Sequence, residues 1–224
     1  MKLCIDSADT VKIRALYEML PVDGVSTNPT ILARANRNPY DVLKEIREII
    51  GEDELFVQAV STEAEKMVHE AERILSALGE RTLIKIPCVP EGYKAMKLLS
   101  ERHIRFIGTA VYTPMQGILA AKCGAEYVAP YVNRIDNMGY DGVHVAGVIH
   151  EAIVTNKLTH SGLLAASFKN AQQVLELITL GVEGVTVSPD ILEAMLDNAS
   201  VDAAVTQFQK DFAGLCGPHT MLDC

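Results

Sequence analysis

The chain is predicted to fold as a (β/α)8 TIM barrel with an extra C-terminal helix, a single domain over residues 1–224. Three observations predict it. Short apolar, β-branched runs alternate eight times with longer segments of helical period, the pattern of parallel strands joined by helical crossovers. The length, 224 residues, suits one barrel, since such domains commonly run to about 200–250 residues. The first turn, Asp6-Ser7-Ala8-Asp9, lacks the glycine-rich fingerprint of a doubly wound open sheet, which is the structural alternative.

The first strand is read at residues 2–7 and its helix at 9–20, with Ser7 or Asp9 as cap. The second strand, 24–27, must end at Asn28-Pro29 because Pro29 has no amide hydrogen for a ladder. A helix over 39–50 places Val42, Leu43, Ile46, Ile49 and Ile50 on one face. Strand three covers 55–60, with a helix from 61 to 78; strand four covers 83–87, with a helix over 90–102. Strand five is 105–111, followed by a helix over 114–123. Strand six is 127–133, and a polar loop over 134–142 leads to a helix ending near 156. Strand seven is 163–168 with a helix over 171–180, and strand eight is 185–188 with a helix over 190–198. A last amphipathic helix, about 200–216, has no strand to follow it.

Composition narrows the function. A net charge of −9 argues against nucleic acid or an anionic membrane as partner. No apolar run approaches the ~18 residues of a membrane span. The first residues enter a strand at once, leaving no room for a signal peptide, so a cytoplasmic location is expected. Cys4, Cys88, Cys123, Cys216 and Cys224 are odd in number and without CxxC spacing. They read as reduced thiols, with neither a zinc site nor a disulfide framework.

Catalytic groups of a barrel sit at the C-terminal ends of its strands. Those ends carry Asp6, Thr27 with Asn28, Gln58, Lys85, Thr109, Tyr131 with Arg134 just beyond, and Ser167 with Lys169. Singly, each has an ordinary explanation. Asp6 and Ser167 read as helix caps, Asn28 as a turn residue, Thr109 as a β-branched filler, Tyr131 as a core aromatic and Arg134 as a surface charge. Lys85, inside the run Leu83-Ile84-Lys85-Ile86-Pro87, reads as a strand-end lysine reaching solvent. Their convergence on one rim is harder to dismiss.

A buried ammonium is costly, so a strand lysine facing a pocket tends to the neutral amine, which is a nucleophile for carbonyls. The chemistry that suits this rim is therefore cleavage through an imine. Lys85 attacks a ketone, Asp6 takes the proton of the leaving hydroxyl, and Gln58, Thr109 and Tyr131 position and protonate water. Asn28 suits a substrate hydroxyl. Arg134 and Ser167 suit a phosphate, with Lys169 adding positive charge nearby. This scheme needs no metal or other cofactor.

The stretches Leu3 to Asp6, Val25-Ser26-Thr27-Asn28-Pro29, Leu83 to Pro87, Gly108 to Tyr112, Gly124 to Asp136, Leu164 to Lys169 and Val201 to Val205 carry a resemblance across the chain. The chain resembles the small transaldolase-like class I aldolases, the fructose-6-phosphate aldolases above all. The resemblance implies that Lys85 forms the Schiff base, that Asp6 and Asn28 contact substrate, that Thr109 holds water, and that Arg134 and Ser167 bind phosphate. It also implies a homodecamer of two stacked pentamers, the last helix reaching a neighbouring subunit. Gln58 and Tyr131 stand where transaldolases of this group tend to carry glutamate and phenylalanine, and match the aldolases. Three departures are Ser26 for a common threonine, Thr30 for the usual serine, and the tail over 218–224.

The expected activity is reversible cleavage of fructose 6-phosphate to dihydroxyacetone and glyceraldehyde 3-phosphate. The alternatives are a transaldolase passing dihydroxyacetone to erythrose 4-phosphate in the pentose phosphate pathway, and a sugar-phosphate binding protein without catalysis. A metal-dependent aldolase is disfavoured because His69, His103, His144, His150, His160 and His219 fall mostly outside the strand ends.

Overall fold

The computed structural model describes residues 1–223. Eight parallel strands close into a barrel in sequence order. They are β1 (Lys2–Asp6), β2 (Gly24–Ser26), β3 (Glu54–Gln58), β4 (Thr82–Pro87), β5 (Phe106–Val111), β6 (Tyr127–Pro130), β7 (Gly162–Ala165) and β8 (Gly184–Val187). The ring closes through β1 and β8, which pair from Lys2 with Gly184 to Ile5 with Val187.

Strand side chains alternate between the two faces of the sheet, and here the two faces form two separate cores. Outward-facing Ile5, Val25, Val57, Ile84, Ile86 and Val185 pack under the helices. Inward-facing Cys4, Phe56, Leu83, Ile107, Tyr127, Ala129 and Leu164 fill the barrel. The same parity sends Glu54 inward at the N-terminal end of β3. There it takes Lys2 and Arg105, each at 2.6 Å. Four residues on, it sends Gln58 inward at the opposite rim.

Helix formation follows local chemistry. Asp9 caps the helix Thr10–Met19 through the amides of Val11 and Lys12. Thr113 and Gln116 make a reciprocal capping box for the helix Pro114–Lys122. The helix Pro90–Glu101 presses Gly92 against the end of β4. A Cβ there would lie 1.9 Å from the Pro87 carbonyl oxygen. Gly92→Ala is therefore expected to destabilise the protein by about 1–3 kcal/mol through overpacking, read as a lower urea midpoint. An unchanged midpoint would mean that the helix can slide away from β4 at no cost.

Three local features differ from the sequence reading. A short helix, Pro29–Arg34, follows β2, capped by the Asn28 side chain on the Ile31 amide at 3.0 Å. β6 ends at Pro130, and Val132–Asp136 is a single helical turn, so Arg134 stands on a helix and not in a loop. β7 stops at Ala165, and two residues later Ser167 takes a left-handed φ of +62°. One helical turn shows no periodicity, and the β-branched run Tyr127 to Val132 reads as continuous strand.

The last helix, Ala199–Cys216, lies close to the expected span and buries none of its residues. Val201, Val205, Phe208 and Leu215 are exposed. Cys4, Cys88 and Cys123 are free thiols, as expected. The expectation is corrected at Cys216, which is disulfide-bonded; a search for CxxC spacing is blind to a pairing of other separation. Cys224 lies outside the described residues. Among the described residues no helix is long and apolar enough to cross a membrane.

Candidate active site

Inward parity at the C-terminal rim gathers side chains that the sequence separates by up to 125 positions. Register pairs Asp6 with Ser26, Gln58 with Lys85, and Pro87 with Thr109. The β5 register shifts between Gly108 and Val111, and Ala110 adopts a φ of +55°. Bulges at barrel rims re-aim side chains, and this one borders Thr109.

Lys85 is 3% exposed. Its Nζ donates to Ser26 Oγ at 2.9 Å and to the Thr27 carbonyl oxygen at 3.0 Å. Burial holds its pKa below that of an ordinary lysine, and the Arg134 charge pushes the same way, while Asp6 opposes both. Asp6 is the mirror case. Burial raises its carboxyl pKa, while the Lys85 charge, a hydrogen bond from Ser26 and the Arg134 charge pull it back. Removal from water thus disfavours the charged form of both partners.

On the strands that follow Lys85 around the rim, the Tyr131 hydroxyl and Thr109 Oγ1 are 3.0 Å apart. Burial raises the phenol's pKa, so Tyr131 stays protonated and able to donate. The Tyr112 ring meets the Tyr131 ring edge-on, with centroids 5.8 Å apart. The Arg134 guanidinium lies 4.7 Å above the Tyr131 ring, in cation–π range. Its Nη1 also lies 3.4 Å from the Tyr112 hydroxyl.

The remaining expected residues fall into place unequally. Thr27 is fully buried and its hydroxyl donates to the Phe56 carbonyl at 3.0 Å, so it meets Lys85 through its backbone oxygen. Asn28 uses its carbonyl oxygen as a helix cap, which leaves its NH2 to donate. Ser167 is half-buried at the rim, its carbonyl accepting from the Asn133 amide at 2.7 Å. Lys169 is exposed on the loop after β7. Gln58 is half-buried beside Lys85. A cavity of about 480 Å³ opens next to Asp6, lined also by Lys12, Arg34, Arg37 and Asp190.

Two residues at this site escaped the sequence reading. Ser26 accepts from Lys85 and is the register partner of Asp6; strand parity in β2, counted from Gly24, would have aimed it inward. Tyr112 supports both Tyr131 and Arg134, and sits just past β5, where parity no longer applies. Among the described residues no group of three or more His, Cys, Asp or Glu side chains is placed to hold a metal ion.

A buried lysine amine beside a carboxyl group, with a phenol–threonine pair on the next strands and an arginine close to the phenol, can form and hydrolyse an imine next to an anion. The family model described as Transaldolase/Fructose-6-phosphate aldolase matches residues 3–218. Among solved structures, the chain is similar in fold to a variant of mandelate oxidase crystallised with a substituted hydroxy-methylphenylacetate. That match has a TM-score of 0.57 at 11% identity, over 84% of this chain and 65% of the other. The chain thus spans about two thirds of that protein's length, and the likeness is one of fold alone.

Proposed function

This chain belongs to the transaldolase/fructose-6-phosphate aldolase family and is an aldolase-type enzyme, and from that premise we propose that it reversibly cleaves fructose 6-phosphate to dihydroxyacetone and glyceraldehyde 3-phosphate. The observation that carries this reading is Lys85, 3% exposed and hydrogen-bonded at Nζ beside the Asp6 carboxyl group.

In this mechanism the neutral Lys85 amine adds to the ketone carbon of the sugar, and loss of water leaves an iminium. Asp6, as carboxylate, removes the proton of the C4 hydroxyl. The C3–C4 bond breaks and its electron pair flows to the iminium nitrogen, releasing glyceraldehyde 3-phosphate and leaving an enamine. The enamine gains a proton at carbon from an acid supplied by the Tyr131–Thr109 pair. Water held there, with Gln58 adjoining, hydrolyses the resulting iminium and frees dihydroxyacetone. Asn28 holds a substrate hydroxyl, with the Thr27 backbone fixing the lysine. Arg134 and Ser167 receive the phosphate, with Lys169 contributing field at the rim.

Tyr131 favours cleavage over transfer, because its protonated hydroxyl can quench the enamine before an acceptor aldehyde arrives. The deciding experiment supplies fructose 6-phosphate without acceptor and follows glyceraldehyde 3-phosphate. Release over many site equivalents supports the aldolase. A burst near one equivalent that resumes only with erythrose 4-phosphate identifies a transaldolase.

Arg134→Ala is expected to raise KM about 10–100-fold for phosphorylated substrates, as for loss of a charged hydrogen bond. Little change is expected for unphosphorylated aldehydes, and equal losses would make Arg134 structural. EDTA is expected to leave turnover unchanged; inhibition restored by added metal would overturn the imine route. The exposed apolar residues of Ala199–Cys216 support a neighbouring subunit as their cover, in a homodecamer. The net charge of −9 supports an enzyme that binds neither nucleic acid nor an anionic membrane. Arg134 and Lys169 at the rim suit a small anionic substrate, and a cytoplasmic location is part of the same proposal.

A further inference from the structure

We propose that Ser26 is a positioning residue that relays the proton between Lys85 and Asp6. Its Oγ lies 2.9 Å from Lys85 Nζ and accepts from it. In this relay its own O–H turns to the carboxylate of Asp6, its register partner on the neighbouring strand. Asp6 and Ser26 are register partners on adjacent strands, so this bridge is set by the sheet and not by a mobile loop. Ser26 is 1% exposed, which leaves bulk water no place in the bridge.

The transfer balances without an outside reagent. An N–H bond of the ammonium breaks as its proton passes to Ser26 Oγ. The original Ser26 O–H bond breaks as its proton passes to the carboxylate. Lys85 becomes a neutral amine, Asp6 a carboxylic acid, and Ser26 is regenerated. The Thr27 carbonyl oxygen, 3.0 Å from Nζ, keeps the amine oriented throughout. Burial of both partners favours this neutral pair. The acid so formed can return its proton to the oxygen leaving the carbinolamine. That leaves Asp6 as carboxylate beside the iminium, in the state needed to accept the C4 hydroxyl proton. One residue thereby serves as acid before the imine and as base after it.

This inference rests on the Schiff-base reading of Lys85, and the test separates the two. Full-length wild type, Ser26→Ala and Ser26→Thr are mixed with dihydroxyacetone and borohydride. The initial rate of adduct formation is followed by intact mass across pH. The groups facing the pair are Arg134 and Cys4 about Lys85, and Arg134 and Tyr131 about Asp6; all are kept in the three proteins. Ser26→Ala is expected to lower the maximal trapping rate about 10–100-fold, as for a lost hydrogen bond to a charged group.

Its acid limb is also expected to move to lower pH. The hydroxyl stabilises the ammonium by accepting and the carboxylate by donating, so its loss keeps the amine neutral further into acid. Ser26→Thr restores the hydroxyl and is expected to trap within about threefold of wild type, with the limb in place. Ser26→Ala that traps like wild type overturns the relay. So does a lower maximum with an unmoved limb and no rescue by threonine, which is the signature of misplacement alone. Wild type that forms no adduct overturns the Schiff-base reading itself, and the relay with it.

Discussion

Lys85→Met is expected to reduce cleavage of fructose 6-phosphate by roughly 10⁴-fold or more, the scale seen when a covalent nucleophile is removed. Methionine nearly matches the length of the lysine stem but cannot attack a carbonyl. The fold should survive. The substitution removes a desolvated amine, and leaves Ser26 Oγ and the Thr27 carbonyl without their shared donor. Those effects oppose one another, so the expected change in stability is within about 2 kcal/mol of zero. The checks are steady-state turnover, borohydride trapping and a urea melt on the same preparation. Substantial turnover in a folded Lys85→Met protein would remove the imine mechanism. Loss of folding would instead show that the buried amine holds the rim together.

Tyr131→Phe is expected to lower acceptor-free cleavage about 100-fold, within the usual range for a positioned acid, while transfer to erythrose 4-phosphate falls much less. The ring keeps its edge-on contact with Tyr112, so little packing is lost. What disappears is the hydroxyl 3.0 Å from Thr109 and the proton it holds. Without that proton the enamine persists on Lys85 until an aldehyde captures it. The measurement is the ratio of cleavage to transfer at saturating substrate. An unchanged ratio would leave Tyr131 a packing residue and move the acid elsewhere on the rim.

The sequence alone specified the barrel, because hydrophobic periodicity is local and repeats: eight β-branched runs, each followed by a helical period, leave few other topologies. It also specified Lys85 and Asp6 as rim residues, since a charge at the inward end of an apolar strand is conspicuous. Its reach was shorter at Thr27, whose strand-end position gave no sign that the hydroxyl would be spent on Phe56 and only the carbonyl would meet the lysine. The single helical turn bearing Arg134, and the left-handed backbone at Ser167, lie below the length at which periodicity speaks. Closure of the barrel decided the rest. Ser26 and Lys85 are 59 positions apart, and Ser26 stands out in the sequence only as a serine in place of a common threonine until register sets it beside Asp6 with the amine on its hydroxyl. The proton state of that pair is likewise a property of burial and distance, which exist only once the strands have met.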